Sequence, residues 1–132
     1  MNKIMVDTSV WIDALNGKKN KVTQIFSQFI RDDISIVLCP IVIQEVLQGI
    51  RDDKSYKEVK ENLSGFEVLK TDPVEAAFGA ANLYREIRKK GITIRKSNDC
   101  LIAFYCILHK VTLLHKDNDF ELIARHSNLR IY

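Results

Sequence analysis

Short runs of apolar, β-branched residues alternate along this chain with longer segments whose apolar residues recur at helical spacing. A strand covered on both faces is a short continuous apolar run, whereas each covering helix shows one apolar stripe. The alternation is therefore typical of a parallel sheet between layers of helices. We predict a three-layer α/β/α sandwich with a mainly parallel sheet of roughly five strands. The predicted strands cover residues 4–6, 35–39, 66–69, 112–115 and 129–132.

Helices are predicted between these strands, and their first turns carry several polar side chains. Thr8 or Ser9 is predicted to cap the first helix and Ser97 a later one, because a hydroxyl oxygen can accept a hydrogen bond from a free helix N–H group. A cap at Ser97 places Asp99 in the first turn, where the helix dipole favours negative charge. The predicted helices cover residues 8–15, 22–30, 40–50, 54–63, 73–91, 97–108 and 118–123.

The length of 132 residues suits one hydrophobic core, so we predict a single domain over residues 1–132. The apolar runs are too short to span a bilayer, and the first residues lack the features of a secretory signal. We therefore expect a cytoplasmic protein without a membrane segment. A net charge of +3 permits nucleic-acid binding without requiring it.

The three cysteines, Cys39, Cys100 and Cys106, are widely spaced and flanked by apolar residues. This pattern predicts buried, reduced thiols rather than a disulfide framework. Neither the cysteines nor the three histidines have the spacing of zinc ligands, so a structural zinc site is not expected.

Four carboxylates stand beside apolar runs, at points where the chain is predicted to turn at the edge of the sheet. Asp7 and Asp117 follow predicted strands. Glu45 lies on the helix after the second strand, and Asp99 begins another helix. Ligands of open parallel sheets bind beyond the carboxyl ends of the strands, so the four side chains can meet there. Clustered acids repel one another unless a cation neutralises them, and oxygen ligands alone favour Mg²⁺ or Mn²⁺ over zinc.

Each of these acids also has a structural interpretation. Asp7 and Asp117 are placed to cap helices, and Asp99 is placed to interact with a helix dipole. An acid at the position of Glu45 is by default solvated. Asp13 is expected to be solvated or to act as a cap.

Four motifs occur in order over nearly the whole chain: residues 6–13 (VDTSVWID), 45–49 (EVLQG), 98–103 (NDCLIA) and 113–120 (LLHKDNDF). Each motif is weak alone, but together they resemble those of PIN-domain ribonucleases of the VapC toxin type. The resemblance implies an endoribonuclease that needs Mg²⁺ or Mn²⁺, leaves 5′-phosphate and 3′-hydroxyl ends, and acts on RNA used in translation, such as transfer or ribosomal RNA. It also implies a homodimer that is neutralised by a VapB-like antitoxin.

The resemblance assigns roles residue by residue. Asp7, Glu45, Asp99 and Asp117 match the acidic catalytic and metal-binding site of the family. Asp119 matches an acid often found beside that site. Whether Asp117 or Asp119 is the direct metal ligand stays open, as does the choice between one and two ions.

Polar and basic neighbours of the acids are predicted to support the same site. Thr8 or Ser9 is expected to orient Asp7 or a water on the metal. Arg95 and Lys96 are the candidate RNA contacts, because an acidic pocket repels phosphate and a basic rim attracts it through counterion release. The pair at 115–116, His-Lys, departs from the small hydroxyl and basic residues common in the family.

Two other classes of protein also place acids at this edge of a parallel sheet. A phosphoacceptor or phosphotransfer domain needs a nucleophilic Asp with a neighbouring acid and a Lys after a later strand, and the sequence at Asp7 lacks both acidic-pair patterns. A non-catalytic PIN-like module that only binds RNA or partners has no physical need for converging like charges. Both interpretations remain as alternatives to the nuclease.

Overall fold

The centre of the molecule is a parallel sheet of five strands, seen in a computed structural model that describes residues 2–132. The order across the sheet places the first strand in the middle, flanked by the second and the fourth. The strands are β1 (Lys3–Val6), β2 (Ser35–Leu38), β3 (Glu67–Val68), β4 (Thr112–Leu114) and β5 (Arg130–Ile131), and their order is β3-β2-β1-β4-β5.

Seven helices connect these strands within residues 2–132. Because parallel crossovers are right-handed, the strand order places the first four helices on one face of the sheet and the last three on the other. The helix contacts agree with this division, since the first helix packs against the second and third, and the sixth packs against the fifth and seventh. The helices are α1 (Thr8–Leu15), α2 (Lys21–Arg31), α3 (Pro40–Gln48), α4 (Asp53–Leu63), α5 (Pro73–Lys89), α6 (Ser97–His109) and α7 (Asn118–Arg125).

The core lies on both faces of the central strands. Met5 and Leu113 are fully buried on adjacent strands and occupy paired positions. Trp11 is a buried residue of α1, and its ring packs edge to face against Phe26 and Phe66, with ring centroids 4.8 Å and 5.4 Å apart. Burial on both faces explains why the strands are continuous apolar runs rather than alternating ones.

The sheet has a switch point between β1 and β4. The chain leaves β1 toward one layer of helices and leaves β4 toward the other, which opens a crevice at their carboxyl ends. The Asp7 N–H group donates to the Leu114 carbonyl over 2.9 Å, so the two chain segments are still joined where they turn away from each other. Asp7 and Asp117 therefore enter the same crevice from opposite sides.

The predicted α/β/α architecture with a five-stranded parallel sheet is confirmed, and the predicted element bounds differ from the observed ones by a few residues at most. The prediction of buried, free thiols is also confirmed for Cys39, Cys100 and Cys106. Burial raises the pKa of Cys39 to about 12 and that of Cys100 to about 11. No helix within residues 2–132 is long and apolar enough to cross a bilayer.

Two capping predictions are wrong. Asp7, rather than Thr8 or Ser9, is the N-cap of α1, because its carboxylate accepts from the Ser9 N–H group. Ser97 is already the first residue of α6, and the preceding Lys96 makes no side-chain capping bond within the described chain. A carboxylate at an N-cap is as effective as a hydroxyl, so the sequence alone did not distinguish them.

Candidate active site

Asp7 is held at the carboxyl end of β1 by the helix that follows it. Its Oδ2 atom accepts from the Ser9 hydroxyl over 2.5 Å and from the Ser9 N–H group over 3.3 Å. The side chain is buried, and this burial raises the pKa of Asp7, while the bonds from Ser9 oppose the rise. The nearby charge of Glu45 raises it further. Asp7 is therefore fixed in position by neutral donors rather than by a basic residue.

Glu45 joins three helices at the same end of the sheet. It projects from α3, and its Oε1 atom accepts from the Thr8 hydroxyl at the start of α1 over 2.7 Å. Its Oε2 atom accepts from the Asn98 amide in the first turn of α6 over 3.2 Å. Glu45 is partly buried, and two donors orient it. It is therefore not the solvated acid expected by default at such a position. Asn98 was not singled out from the sequence, although it lies inside one of the four motifs.

Asp99 is the least satisfied carboxylate of the group. Its side chain is only 6% exposed, and its Oδ2 atom is buried without a hydrogen-bond partner among the described residues. Burial raises the pKa of Asp99 to about 7, with the charges of Asp7 and Asp117 as the next causes. Lys96 opposes the rise and Asp119 adds to it. These carboxylates therefore lie close enough to affect one another's ionisation.

Asp117 and Asp119 begin the last helix and have different surroundings. Asp117 is the N-cap of α7, and its Oδ1 atom accepts from the Asp119 N–H group over 3.1 Å. Asp119 is buried, and its Oδ2 atom accepts from the Arg95 N–H group over 3.2 Å. Asp119 therefore also anchors the loop that precedes α6.

Arg95 and Lys96 lie at the rim of this cluster. Arg95 approaches Asp117 over 3.6 Å and Asp119 over 3.5 Å, and the Lys96 ammonium lies 3.5 Å from Asp117. Both basic side chains are largely exposed, at 73% and 65%. The acids of these ion pairs are largely buried, but the cations are surrounded by solvent, which screens the pairs and leaves the cations available to other anions.

A second ion pair adjoins the cluster and contradicts one prediction. Asp13, which we expected to be solvated or capping, is buried on α1 and contacts the Lys116 ammonium over 2.5 Å. The Asn20 amide donates to the same oxygen over 3.0 Å. The bond from Lys116 is the main cause that lowers the pKa of Asp13. The three-residue spacing from buried Val10 was the signal, since it places Asp13 on the inner face of the helix.

The donor chemistry of the cluster fits a divalent cation. Its side chains offer carboxylate oxygens, one of them buried and unpartnered, and a hard cation relieves the repulsion that raises the pKa of Asp99. Within residues 2–132, no group of three or more His, Cys, Asp or Glu side chains is arranged so that it could hold a metal ion. Mg²⁺ is usually held by one or two carboxylates and keeps several waters.

A scan against protein-family models matches residues 4–126 of the chain to the PIN domain. Ribonuclease VapC11 of Mycobacterium tuberculosis is 31% identical over 128 residues, which cover 96% of each chain. A VapC ribonuclease of Mycobacterium bovis has the same identity and coverage. The chain belongs to the VapC branch of the PIN-domain family. The matched range contains all four sequence motifs, and the family that they resemble is confirmed.

Solved structures share the fold of this PIN domain. VapBC2 from Rickettsia felis, bound to a DNA fragment from its promoter, aligns with a TM-score of 0.76 at 22% identity and covers 98% of this chain and 97% of the other. DNA-bound VapBC from Salmonella typhimurium aligns with a TM-score of 0.76 at 23% identity and covers 100% of this chain and 98% of the other. At these identities the likeness concerns the fold alone.

The PIN fold brings the predicted acids to one crevice but gives them unequal partners. Four of the acids are oriented by hydroxyl, amide or backbone donors, namely Asp7, Glu45, Asp117 and Asp119. Asp99 has a buried oxygen without a donor, and Asp119 is engaged by Arg95. Of the two predicted hydroxyl residues, Ser9 contacts Asp7 and Thr8 contacts Glu45.

Proposed function

We propose that this PIN domain is an endoribonuclease toxin that hydrolyses RNA phosphodiester bonds with the help of Mg²⁺ or Mn²⁺. One observation carries the proposal: the buried, unpartnered oxygen of Asp99 lies among other carboxylates at the switch point of the sheet. Such an arrangement destabilises the fold unless a cation binds, so a structural role does not account for it. The names of the VapC relatives, which are ribonucleases, support the choice of substrate.

We expect one or two of the carboxylates Asp7, Asp99 and Asp117 to bind the cation directly, and the other acids, with Glu45 and Asp119, to bind its waters. A bound Mg²⁺ or Mn²⁺ would polarise the phosphodiester and lower the pKa of a water, which is the chemistry of metal-assisted hydrolysis. Ser9 keeps the Asp7 carboxylate turned toward the crevice. Thr8 and Asn98 do the same for Glu45, so that two of the acids are oriented before any ligand arrives.

The rim cations are suited to the substrate. Arg95 and Lys96 are largely exposed, and their charged groups lie 3.5–3.6 Å from the carboxylates of Asp117 and Asp119. A phosphate that approaches the acids must pass these two side chains, which offset its repulsion by the carboxylates. We therefore assign them to the RNA backbone next to the scissile bond.

The comparisons also support a partner. Two structural neighbours belong to toxin–antitoxin systems: a toxin–antitoxin complex from Klebsiella pneumoniae, and VapBC-5 from Mycobacterium tuberculosis, a member of the VapBC family of such systems. We propose that a VapB-like antitoxin neutralises this chain and that cleavage of transfer or ribosomal RNA inhibits translation. A homodimer remains a prediction from the family resemblance, and a cytoplasmic location remains a prediction from the sequence.

The decisive test is cleavage of total RNA by the purified chain with Mn²⁺, with and without excess chelator. We expect cleavage only when the cation is available, with 5′-phosphate ends on the products. Asp7→Asn keeps the cap and the shape of the side chain but removes the charge, so we expect its cleavage rate to fall by at least about 100-fold.

The matched control is Asp72→Asn. Asp72 caps α5 in the same way as Asp7 caps α1, through a bond from the Glu75 N–H group, but it is exposed and lies outside the cluster. This variant should cleave RNA at the wild-type rate. Cleavage in excess chelator, or full activity of Asp7→Asn, would show that the mechanism is wrong.

A further inference from the structure

We propose that Asp13 is a positioning residue that holds the segment 116–117 against the helix beginning after Asp7, and so fixes the spacing of two carboxylates. The inference rests on the proposed function, because Asp7 and Asp117 are two of the carboxylates that we expect at the cation site. It assigns a role to the ion pair between buried Asp13 and partly exposed Lys116, which the chemistry described above does not use.

The first step is the environment of Asp13. The side chain is 9% exposed, and its Oδ2 atom accepts from Lys116 over 2.5 Å and from Asn20 over 3.0 Å. A third donor, the Lys18 ammonium, lies 3.9 Å from Oδ1. One carboxylate thus joins α1, the loop before α2 and the loop after β4, and Lys116 is 103 positions away along the chain.

The second step is the place of Lys116. Only three residues, 115 to 117, separate β4 from α7. The first of them, His115, is buried against Phe120, and the last is the acid Asp117. Lys116 lies between the two, so its ion pair determines which way the loop leaves the sheet. The backbone bond from Asp7 to Leu114 fixes the start of this loop, and Asp13 fixes its middle.

The third step is the stiffness of the connection. Asp13 and Asp7 are joined by a continuous helix, which Asp7 itself caps. A contact at Asp13 therefore transmits the position of the β4–α7 loop to the N-cap of α1 without an intervening flexible segment. Residues that orient metal ligands in this way typically change metal affinity or activity by about 10-fold to 100-fold when they are replaced.

A purely stabilising ion pair is the alternative, and the chain contains one for comparison. Lys3 and Glu67 meet over 2.9 Å, but both side chains are about half exposed, at 41% and 51%, and they join the amino ends of their strands. Glu67→Gln therefore removes an ion pair whose two partners contact none of the clustered acids. It serves as the control for loss of a salt bridge as such.

The test compares Asp13→Asn, Lys116→Met, the double variant and Glu67→Gln in the full chain. Two readouts do not depend on RNA: the dissociation constant for Mn²⁺ by titration calorimetry, and amide hydrogen exchange of the peptide covering residues 115–120. Cleavage kinetics at saturating RNA and the KM for RNA complete the set, and thermal unfolding reports whether each variant is folded.

For Asp13→Asn and Lys116→Met we expect Mn²⁺ to bind at least about 10-fold more weakly and kcat to fall by a similar factor, with KM for RNA within about twofold. Exchange in the peptide should become faster in both, and the double variant should be no worse than the worse single one, because the two residues act through one contact. Glu67→Gln should match the wild type in every readout except a small change in stability.

Unchanged Mn²⁺ affinity or unchanged exchange in Asp13→Asn and Lys116→Met would overturn the proposal, even if both variants are less stable. Additive losses in the double variant would also overturn it. If the wild-type chain neither binds Mn²⁺ nor cleaves RNA, the proposed function has failed, and the exchange data alone decide whether Asp13 holds the segment.

Discussion

The helices α1 and α6 both begin at the crevice, yet their first turns are built differently. The start of α1 is well satisfied, since Asp7 caps the helix and receives two hydrogen bonds from Ser9. The start of α6 has no side-chain cap within the described chain, and Asp99 in its first turn has a buried oxygen without a partner. The start of α1 thus holds its carboxylate in a fixed position. The start of α6 leaves a buried carboxylate oxygen without a partner among the described residues, which a bound cation would supply.

The two helix starts affect the stability of the fold in opposite directions. Capping and hydrogen bonding at α1 are worth about 1 kcal/mol each, as at helix starts in general. The unpaired Asp99 carboxylate acts in the opposite direction, because a buried charge without a partner opposes folding. We expect function to require this asymmetry, and three experiments test it.

The largest effect is expected from Asp99→Asn, which removes the unpaired charge. Cleavage of RNA should fall by at least about 100-fold. In excess chelator at pH 8, however, the variant should be more stable than the wild type by about 1 kcal/mol, because the charge that burial disfavours has gone.

The pH dependence of that difference follows from the sign of the shift. The pKa of Asp99 is raised from 3.8 to about 7 in the folded chain, so the folded state binds a proton in the window between these values more readily than the unfolded state. The destabilisation is therefore present above pH 7 and disappears as the pH falls toward 4. Thermal unfolding of both chains in chelator from pH 8 to pH 5 measures it, and a constant difference over that range would contradict the assignment.

An intermediate effect is expected from Ser9→Ala, which weakens the satisfied helix start. Loss of the hydroxyl bond to Asp7 should lower the free energy of unfolding by about 1 kcal/mol. It should also slow RNA cleavage by about 10-fold, because Asp7 keeps only the N–H donor. Urea unfolding and cleavage rates measure the two effects.

The control for this prediction is Ser64→Ala. The Ser64 hydroxyl also makes one short bond, to the Lys60 carbonyl over 2.8 Å, but at an exposed helix end. It should cost no more than about 0.5 kcal/mol and leave cleavage unchanged. Equal losses in the two variants would mean that Ser9 has no special relation to the site.

The smallest effect on folding is expected from the double change Arg95→Ala and Lys96→Ala, which strips the cations from the start of α6. Both cations are largely exposed and their ion pairs are screened by solvent, so stability should change by less than about 1 kcal/mol. RNA binding should weaken, and the slope of log affinity against log salt should become shallower by roughly 0.7 for each phosphate of a single strand that the variant no longer neutralises. An unchanged slope in a binding titration from about 50 to 200 mM salt would remove both residues from the RNA interface.

Most of the fold was predictable because its signals are local. Apolar runs and helical stripes identified the strands and helices, since each depends only on a short window of sequence. Capping was predicted less well, because Asp7, Thr8 and Ser9 are all good caps and the choice depends on backbone geometry. The cap predicted at Ser97 was wrong for another reason, because α6 already begins at Ser97 and its N-cap, Lys96, makes no side-chain capping bond within residues 2–132.

The acids were predictable as a group because each lies either after a strand or near the start of a helix at the same edge of the sheet. Their partners were not, because those contacts join residues that are distant in the chain. Asn98 reaches Glu45 over 53 positions, and Lys116 reaches Asp13 over 103. The periodicity of one segment does not show which side chains of a distant segment lie beside it.

The position of β1 in the middle of the sheet has a consequence for synthesis. The first strand to be made is bordered by β4, which begins more than a hundred residues later. A growing chain cannot pair β4 with β1, or bring Asp117 into the crevice with Asp7, until residues 112–117 have been translated. Because β1 and β4 form the two sides of the crevice, a chain that stops before β4 lacks Asp117 and the whole of one side of the candidate site.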